Sequence, residues 1–341
     1  MATLRERLAE LLTRYSDQLE AAFLEAVADL RNGIQIRMLV EALERQDIDA
    51  AIEALNLEPA AYSQFRLVMR DTFAAAGSLQ SSFIPQPPGA RVLFRFDVAD
   101  PAAEAVIRRV TGDRITNIVE QDKLAARAAI LAGFELGQGP NRIALDIAGR
   151  MGPGQNQRQG GIVGLSVPFQ GHVDAMRARL ASGDPDEMVK VFAMTRRDKR
   201  FDATIQKAID AGKPVAQADL DRIVGRYSDR LLALRGENIG RTETGMAVMQ
   251  GRMESFRQGL AKTGYTEAAV TRKWRHGGGG LEPRILHVQM NNVTVRGLDQ
   301  PFILPDGTRM MHPLDPAGGA EHVVNCTCDM QLNIDYSYGL T

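Results

Sequence analysis

Cysteine is nearly absent from this chain of 341 residues: there are two, Cys326 and Cys328. Two thiols one residue apart make no disulfide framework, because the loop between them is too tight for relaxed geometry. Synthesis in a reducing, cytoplasmic setting is therefore expected. Aromatic residues are also scarce, 6% with a single Trp. Long apolar runs are missing; none approaches the roughly 20 residues that span a bilayer, so no membrane partner is expected. The opening MATLRERLAELLTRY alternates charges with leucines and has neither an apolar h-region nor a cleavage site, which argues against a secretory signal. A large net charge is lacking too, at −1 for the whole chain.

What is present is an ordinary globular composition, 44% hydrophobic and 24% charged, rich in Ala, Leu and Arg, which favours helices. The length suffices for two or three domains. The small net charge hides a split, because residues 141–276 hold 23 basic against 15 acidic side chains while the flanks are acidic. A basic middle can face nucleic acid or an acidic protein, although interleaving with acids also fits solvated helix faces. Its densest part is Arg196, Arg197, Lys199 and Arg200, the candidate contact for DNA or protein.

Periodicity predicts a mostly helical α+β protein. Leu4, Leu8, Leu11, Leu12, Tyr15, Leu19, Phe23, Val27 and Leu30 form one stripe, closed by Asn32-Gly33. Further helices are expected at 35–46, after Asp47, and from Ala60 to Gly77, so that residues 1–80 read as a helical docking segment. Residues 81–150 read as linker, strand and helices: SSFIPQPPGA is the linker, RVLFRFDV alternates like a strand, and Asp100-Pro101 starts a helix. Residues 151–335 form the third segment, helical over 151–263 and a small α+β unit with a short antiparallel sheet over 264–335. Within it, glycines near 236–240 predict a break between two helices. ILHVQMNNVTV (285–295) and HVVNCTCDMQLNIDY (322–336) read as strands, the latter placing Cys326 and Cys328 on one face.

The chemistry-bearing residues cluster near the end of the chain. Cys326 and Cys328 could form one pair of a metal site, completed by His287, His312 or His322, since zinc favours thiolate and imidazole in a four-coordinate shell. On a strand, however, the two sulfurs would stand roughly 7 Å apart, too far for one ion unless the strand bends. The reading that weighs most is therefore two small buried hydrophobes on a strand face. A Cys–His nucleophile built from either cysteine with His287 or His322 has no helix N-terminus or elbow to mark it. Gly277–Gly280 lacks the flanking pattern of a phosphate loop and reads as a hinge. Arg241 and Glu243 read as a polar pair packing the sheet, and Trp274 as a core anchor.

Taken in order, RQGGIVGLSVPFQGHVDAMRARLASG, TRRDKRFDATIQKAIDAGKPV and RYSDRLLALRGENIGRTETGMA, followed by Trp274, Arg284-x-x-His287, Phe302, a Pro-Asp-Gly turn and Asn325-Cys326-x-Cys328, resemble the phage head morphogenesis proteins of the Mu gpF-like (MuF) minor head family. The resemblance spans roughly residues 140–335. It implies a virion protein without catalysis, inside the head or at the portal vertex, made in the host cytoplasm. Its implied partners are the portal and other head proteins, with packaged DNA, and its implied roles are head assembly and DNA packaging or delivery. Alternatives are a Cys/His- or metal-dependent hydrolase or virion-delivered effector, and a DNA-binding module. Many family members carry Cys-x-x-Cys where this chain has Arg284-Ile285-Leu286-His287, and His-x-Asn-Cys-Arg-Cys at the end. Here Val323 stands two before Asn325, with His322 one place out, and Thr327 replaces the Arg. A four-cysteine site is thus impossible, which turns the cluster toward structure. Asn325 is expected to bond backbone, and no cofactor is expected; the alternative is zinc through His287, Cys326 and Cys328.

Overall fold

The structure, a computed structural model, describes residues 2–89, 91–152, 154–278 and 283–338. The elements run α1 (Leu4–Gly33), α2 (Ile36–Glu44), α3 (Ile48–Ala54), α4 (Ser63–Ser81), α5 (Pro101–Glu135), α6 (Pro140–Ala148), β1 (Arg150–Met151), β2 (Arg158–Gln159), α7 (Val167–Ser182), α8 (Pro185–Met188), α9 (Asp202–Asp210) and α10 (Gln217–Thr263). The C-terminal part adds β3 (Val270–Arg275), α11 (Ile285–Gln289), β4 (Thr294–Arg296), β5 (Phe302–Ile303), β6 (Arg309–Met310), α12 (Gly319–Val323) and β7 (Asp329–Ile334). The fold is mostly helical α+β, with short antiparallel sheets near the C-terminus.

Two compact units cut across the three consecutive segments read from the sequence. One comprises Met1–Ala22, Phe65–Gly112 and Glu237–Thr341, the other Phe23–Gln64 and Asp113–Gly236. In the first, Leu8 and Leu11 of α1 pack with Ala76 of α4 and Val248 of α10, and Phe73 packs with Ala103 and Ile107 of α5. Asp100 starts α5 as expected, its carboxylate accepting from the Ala102 N–H at 2.9 Å. In the second unit Arg31 is buried; it donates to the carbonyls of Val163 (2.9 Å) and Gly161 (2.6 Å) and pairs with Asp229. A second buried group joins Asp122 to Arg235 and to the Tyr62 hydroxyl.

Several sequence expectations fail for physical reasons. The break near Gly236–Gly240 does not occur, and α10 is one helix of 47 residues. Its glycines are contact points: a side chain at Gly240 would strike the Ser16 carbonyl oxygen, one at Gly245 the Leu314 side chain, and one at Gly251 the Phe73 carbonyl oxygen. Helix α4 runs past Gly77, which is kept bare by the ring of Phe96. Among the described residues RVLFRFDV pairs with no strand; its alternation records Phe94, buried, and Phe96, partly buried against Phe73, turning inward. ILHV is the short helix α11, a run too brief for periodicity to separate helix from strand. The last strand begins only at Asp329, so the cysteines precede it.

The sheet that supports the candidate site has the order β4-β3-β7, antiparallel throughout. Val270, Arg272 and Trp274 sit opposite Ile334, Leu332 and Met330, and all six are buried on one face. Arg272 is an unexpected member of that layer. Its guanidinium donates to the carbonyls of Gly297 (2.7 Å), Gln300 and Met311, and it lies over the Phe302 ring. One side chain thereby satisfies three loop carbonyls that have left the sheet ladder. Arg252 of α10 acts similarly, donating to Gln80 (2.8 Å), to Asp329 and to the Met330 carbonyl (2.5 Å).

Candidate metal centre

Three short pieces deliver the site. Helix α11 presents His287, helix α12 presents His322, and the turn after α12 presents the cysteines. Arg284, at the N-cap of α11, donates to the carbonyls of Glu321 and Val324, both at 2.6 Å, and so binds the two helices together. Asn325 then takes a left-handed conformation, φ 56°, which Asn tolerates better than most residues. This kink is the bend that a regular strand lacks. It brings the ligand atoms of His287, Cys326 and Cys328 within 4.8 Å of one another, all three side chains buried. These three residues could hold a metal ion.

His287 Nδ1 lies 3.5 Å from the Cys326 sulfur and 3.6 Å from the Cys328 sulfur. Its other nitrogen, Nε2, lies 3.2 Å from Nδ1 of His322, and His322 Nε2 lies 3.0 Å from a carboxylate oxygen of Asp306. The two imidazoles are nearly parallel, at 14°, while Trp274 meets His287 edge-on at 5.3 Å and Phe302 meets Trp274 in turn. The sulfurs divide their titration. Cys328 is drawn well below the ordinary thiol range, first by a hydrogen bond from Cys326 and, against burial, by His287 and the Gly277 N–H. Cys326 moves up by that same bond and by burial. Two sulfurs and an imidazole nitrogen at this spacing can share a proton or hold a cation between them.

Gly277 approaches Thr327 so closely that any side chain would overlap the Thr327 carbonyl. The expected glycine hinge is, at Gly277, a packing contact; Gly279 and Gly280 lie outside the described residues. Cys326 and Cys328 also line a groove of about 1070 Å³, together with Leu8, Leu12 and Arg241 among others.

The other residues singled out in the sequence near the cluster make contacts of their own. Arg241 donates to the side-chain oxygens of Asn325 (3.0 Å) and Asn238 (3.1 Å), and the Asn325 N–H donates to the Thr242 hydroxyl at 3.1 Å. The Asn325 side chain also donates to Asn238 at 2.9 Å, so it bonds side chains rather than the expected backbone. Glu243 is buried in α10. His312 stands apart from the cluster, its Nε2 on Gln250 and its Nδ1 on the Pro313 carbonyl. The basic candidates belong to the other unit. Arg197 forms two bonds to Asp202, the Arg200 guanidinium three to Asp198, and Arg196 takes a left-handed φ of 65°. Asp198 is held below the usual carboxylate range, chiefly by Arg200.

Asp306 is the member that sequence reasoning missed. Its Pro-Asp-Gly context was legible only as a turn, and its carboxylate does accept from the Thr308 N–H at 3.0 Å. The second role, accepting from His322, depends on a fold that no local spacing encodes. No protein-family model, curated protein or solved structure matches this chain.

Proposed function

We propose that this chain is a minor head protein of a tailed phage or phage-derived particle, similar to the Mu gpF-like family. In this reading it sits inside the head or at the portal vertex and serves head assembly or DNA packaging and delivery, without catalysis. The observation that carries the reading is convergence. Arg241, Trp274, Arg284, His287, Asn325, Cys326 and Cys328, the ordered series behind the resemblance, are spread over residues 241–328 yet form one connected knot. Most of their polar contacts go to one another or to backbone carbonyls, as in a device that closes a fold. Zinc is the metal best suited to two thiolates and an imidazole, and its binding would add to the folding energy of this module.

The test is particle composition. Heads purified from a producing strain should contain the chain at low copy, and deleting its gene should reduce DNA-filled heads. Absence of the chain from both proheads and mature heads, together with normal head yield in the deletion strain, would reject the proposal.

A hydrolase or effector reading keeps one observation in its favour: the thiols border the groove, and a metal with a ligand position facing a groove has the arrangement of a catalytic centre. Loss of DNA-filled heads in Cys326→Ala, with the chain still present in proheads at the wild-type level, would favour that reading. The DNA-binding reading is less well supported, because Arg197 and Arg200 already spend their charge on Asp202 and Asp198.

A further inference from the structure

The two histidines and Asp306 form a directed chain. A carboxylate can only accept hydrogen bonds, so His322 Nε2 must donate to Asp306 across 3.0 Å. When His322 is in its neutral form, its other nitrogen carries the lone pair, and His322 Nδ1 is then an acceptor. The proton between the rings therefore belongs to His287 Nε2, 3.2 Å away. In that tautomer the lone pair of His287 is on Nδ1, facing both sulfurs at 3.5 and 3.6 Å, where a metal ion would take the place of the proton that otherwise lies between Nδ1 and Cys328. Asp306 is well suited to the terminal position. The Thr308 N–H first, and then the Thr308 hydroxyl and His322, hold its carboxyl below the ordinary range, so it is ionised and acceptor-only at neutral pH.

We propose that Asp306 and His322 are the outer shell of the metal centre: they fix His287 in the form that offers Nδ1 to a zinc ion shared with Cys326 and Cys328. The inference rests on the metal reading of that cluster. It assigns His322 a place that its offset from the family pattern had left open. Standing on α12 immediately before Val323, its ring reaches His287 rather than the sulfurs. Metal-bound histidines generally donate their second N–H to a carboxylate, carbonyl or water, and losing such a partner typically weakens metal affinity about 10–100-fold. Here a second imidazole is inserted between the ligand and the carboxylate, which lets a side chain on an exposed turn orient a buried ligand. His322 and Asp306 are positioning residues in this scheme and touch no metal.

The experiment titrates the full chain with cobalt(II) and then measures zinc affinity by chelator competition. Wild type should give an intense thiolate-to-cobalt charge-transfer band, and Cys326→Ser/Cys328→Ser should abolish it. His322→Phe preserves a ring against His287 but removes both nitrogens; it should keep the band and weaken zinc binding about 10–100-fold. Asp306→Asn keeps an acceptor for the Thr308 N–H but no longer dictates the direction of the chain. It should weaken zinc about tenfold, near the lower end of that range, without changing the melting temperature of the metal-free protein. Asp306→Glu should restore part of the affinity. Should wild type bind cobalt through thiolate while both His322→Phe and Asp306→Asn hold zinc as tightly as wild type, the outer-shell assignment is wrong and the metal centre stands. A wild-type chain without the charge-transfer band would overturn both.

Discussion

Single side chains in this protein carry functions that their residue types rarely carry. Arg272 is fully buried in the sheet layer and serves three loop carbonyls rather than a carboxylate. Burial pulls its guanidinium down to about 10, still charged at neutral pH. A lysine has the charge but not the planar fork, so Arg272→Lys should leave at least one carbonyl unpaired. The expected loss is about 2–3 kcal/mol in urea denaturation; a loss below about 0.5 kcal/mol, the scale of an ordinary surface substitution, would show that the fork is dispensable. Asp174 on α7 makes the opposite case. Burial raises its carboxyl to about 6 against the pull of Arg177 and Gln170, so the fold prefers it protonated. Its contribution is full below the unfolded value near pH ~4 and is lost as pH rises through about 6. Asp174→Asn can accept the same Gln170 bond without a charge. It should stabilise the protein at pH 7 by on the order of 1 kcal/mol, discounted for partial exposure, with the gain closing below pH ~4; an equal gain at both pH values would refute the titration account. At this scale the sequence displayed the candidate ligands, since Cys326, Cys328 and His287 stand out by rarity and spacing. It hid their geometry, because one left-handed residue, Asn325, converts a strand-like spacing into a shared site.

The elements tell the same story of local signals redirected by packing. The apolar stripe placed α1 closely, and Asp100-Pro101 placed the start of α5, because each is decided within a few turns. Helix α10 departs from the expected break although glycine is a helix breaker by intrinsic preference. Its glycines instead admit the backbone of α1, the backbone of α4 and the side chain of Leu314, contacts that outweigh about 1 kcal/mol of propensity per residue. This yields a paired prediction. Gly251→Ala should destabilise by about 1–3 kcal/mol, despite the better helix former, because the added carbon meets the Phe73 carbonyl. Gly112→Ala, in α5 with open space around it, should stabilise by about 0.4–1 kcal/mol. Thermal melts of both variants check the sign, and stabilisation by Gly251→Ala would contradict the close-approach account. RVLFRFDV and the helical ILHV fail for a related reason. Alternation and short apolar runs report which side chains are buried, not which hydrogen-bond ladder the backbone joins.

On the scale of the whole molecule, fold class was legible, since it follows from composition and summed periodicity. The two compact units were not. Each collects segments interrupted by stretches of the other unit, and nothing local announces which distant segment will cover a given stripe. The candidate centre inherits this property. Its donors come from α11 and the turn before β7, its outer shell from α12 and the Pro-Asp-Gly turn, and its neighbours from α10, so it exists only when that unit is folded. A module closed in this way suits a head protein that must hold its shape without enzymatic work, which is the function proposed above. The claim on which this picture depends most is that the cluster binds zinc. It is tested by metal quantification and native mass spectrometry on protein expressed in zinc-replete medium. Wild type is expected to carry a single zinc per chain, absent from Cys326→Ser/Cys328→Ser and accompanied by slow alkylation of both thiols. A metal-free wild-type chain whose two cysteines alkylate at the rate of an unfolded control would contradict it.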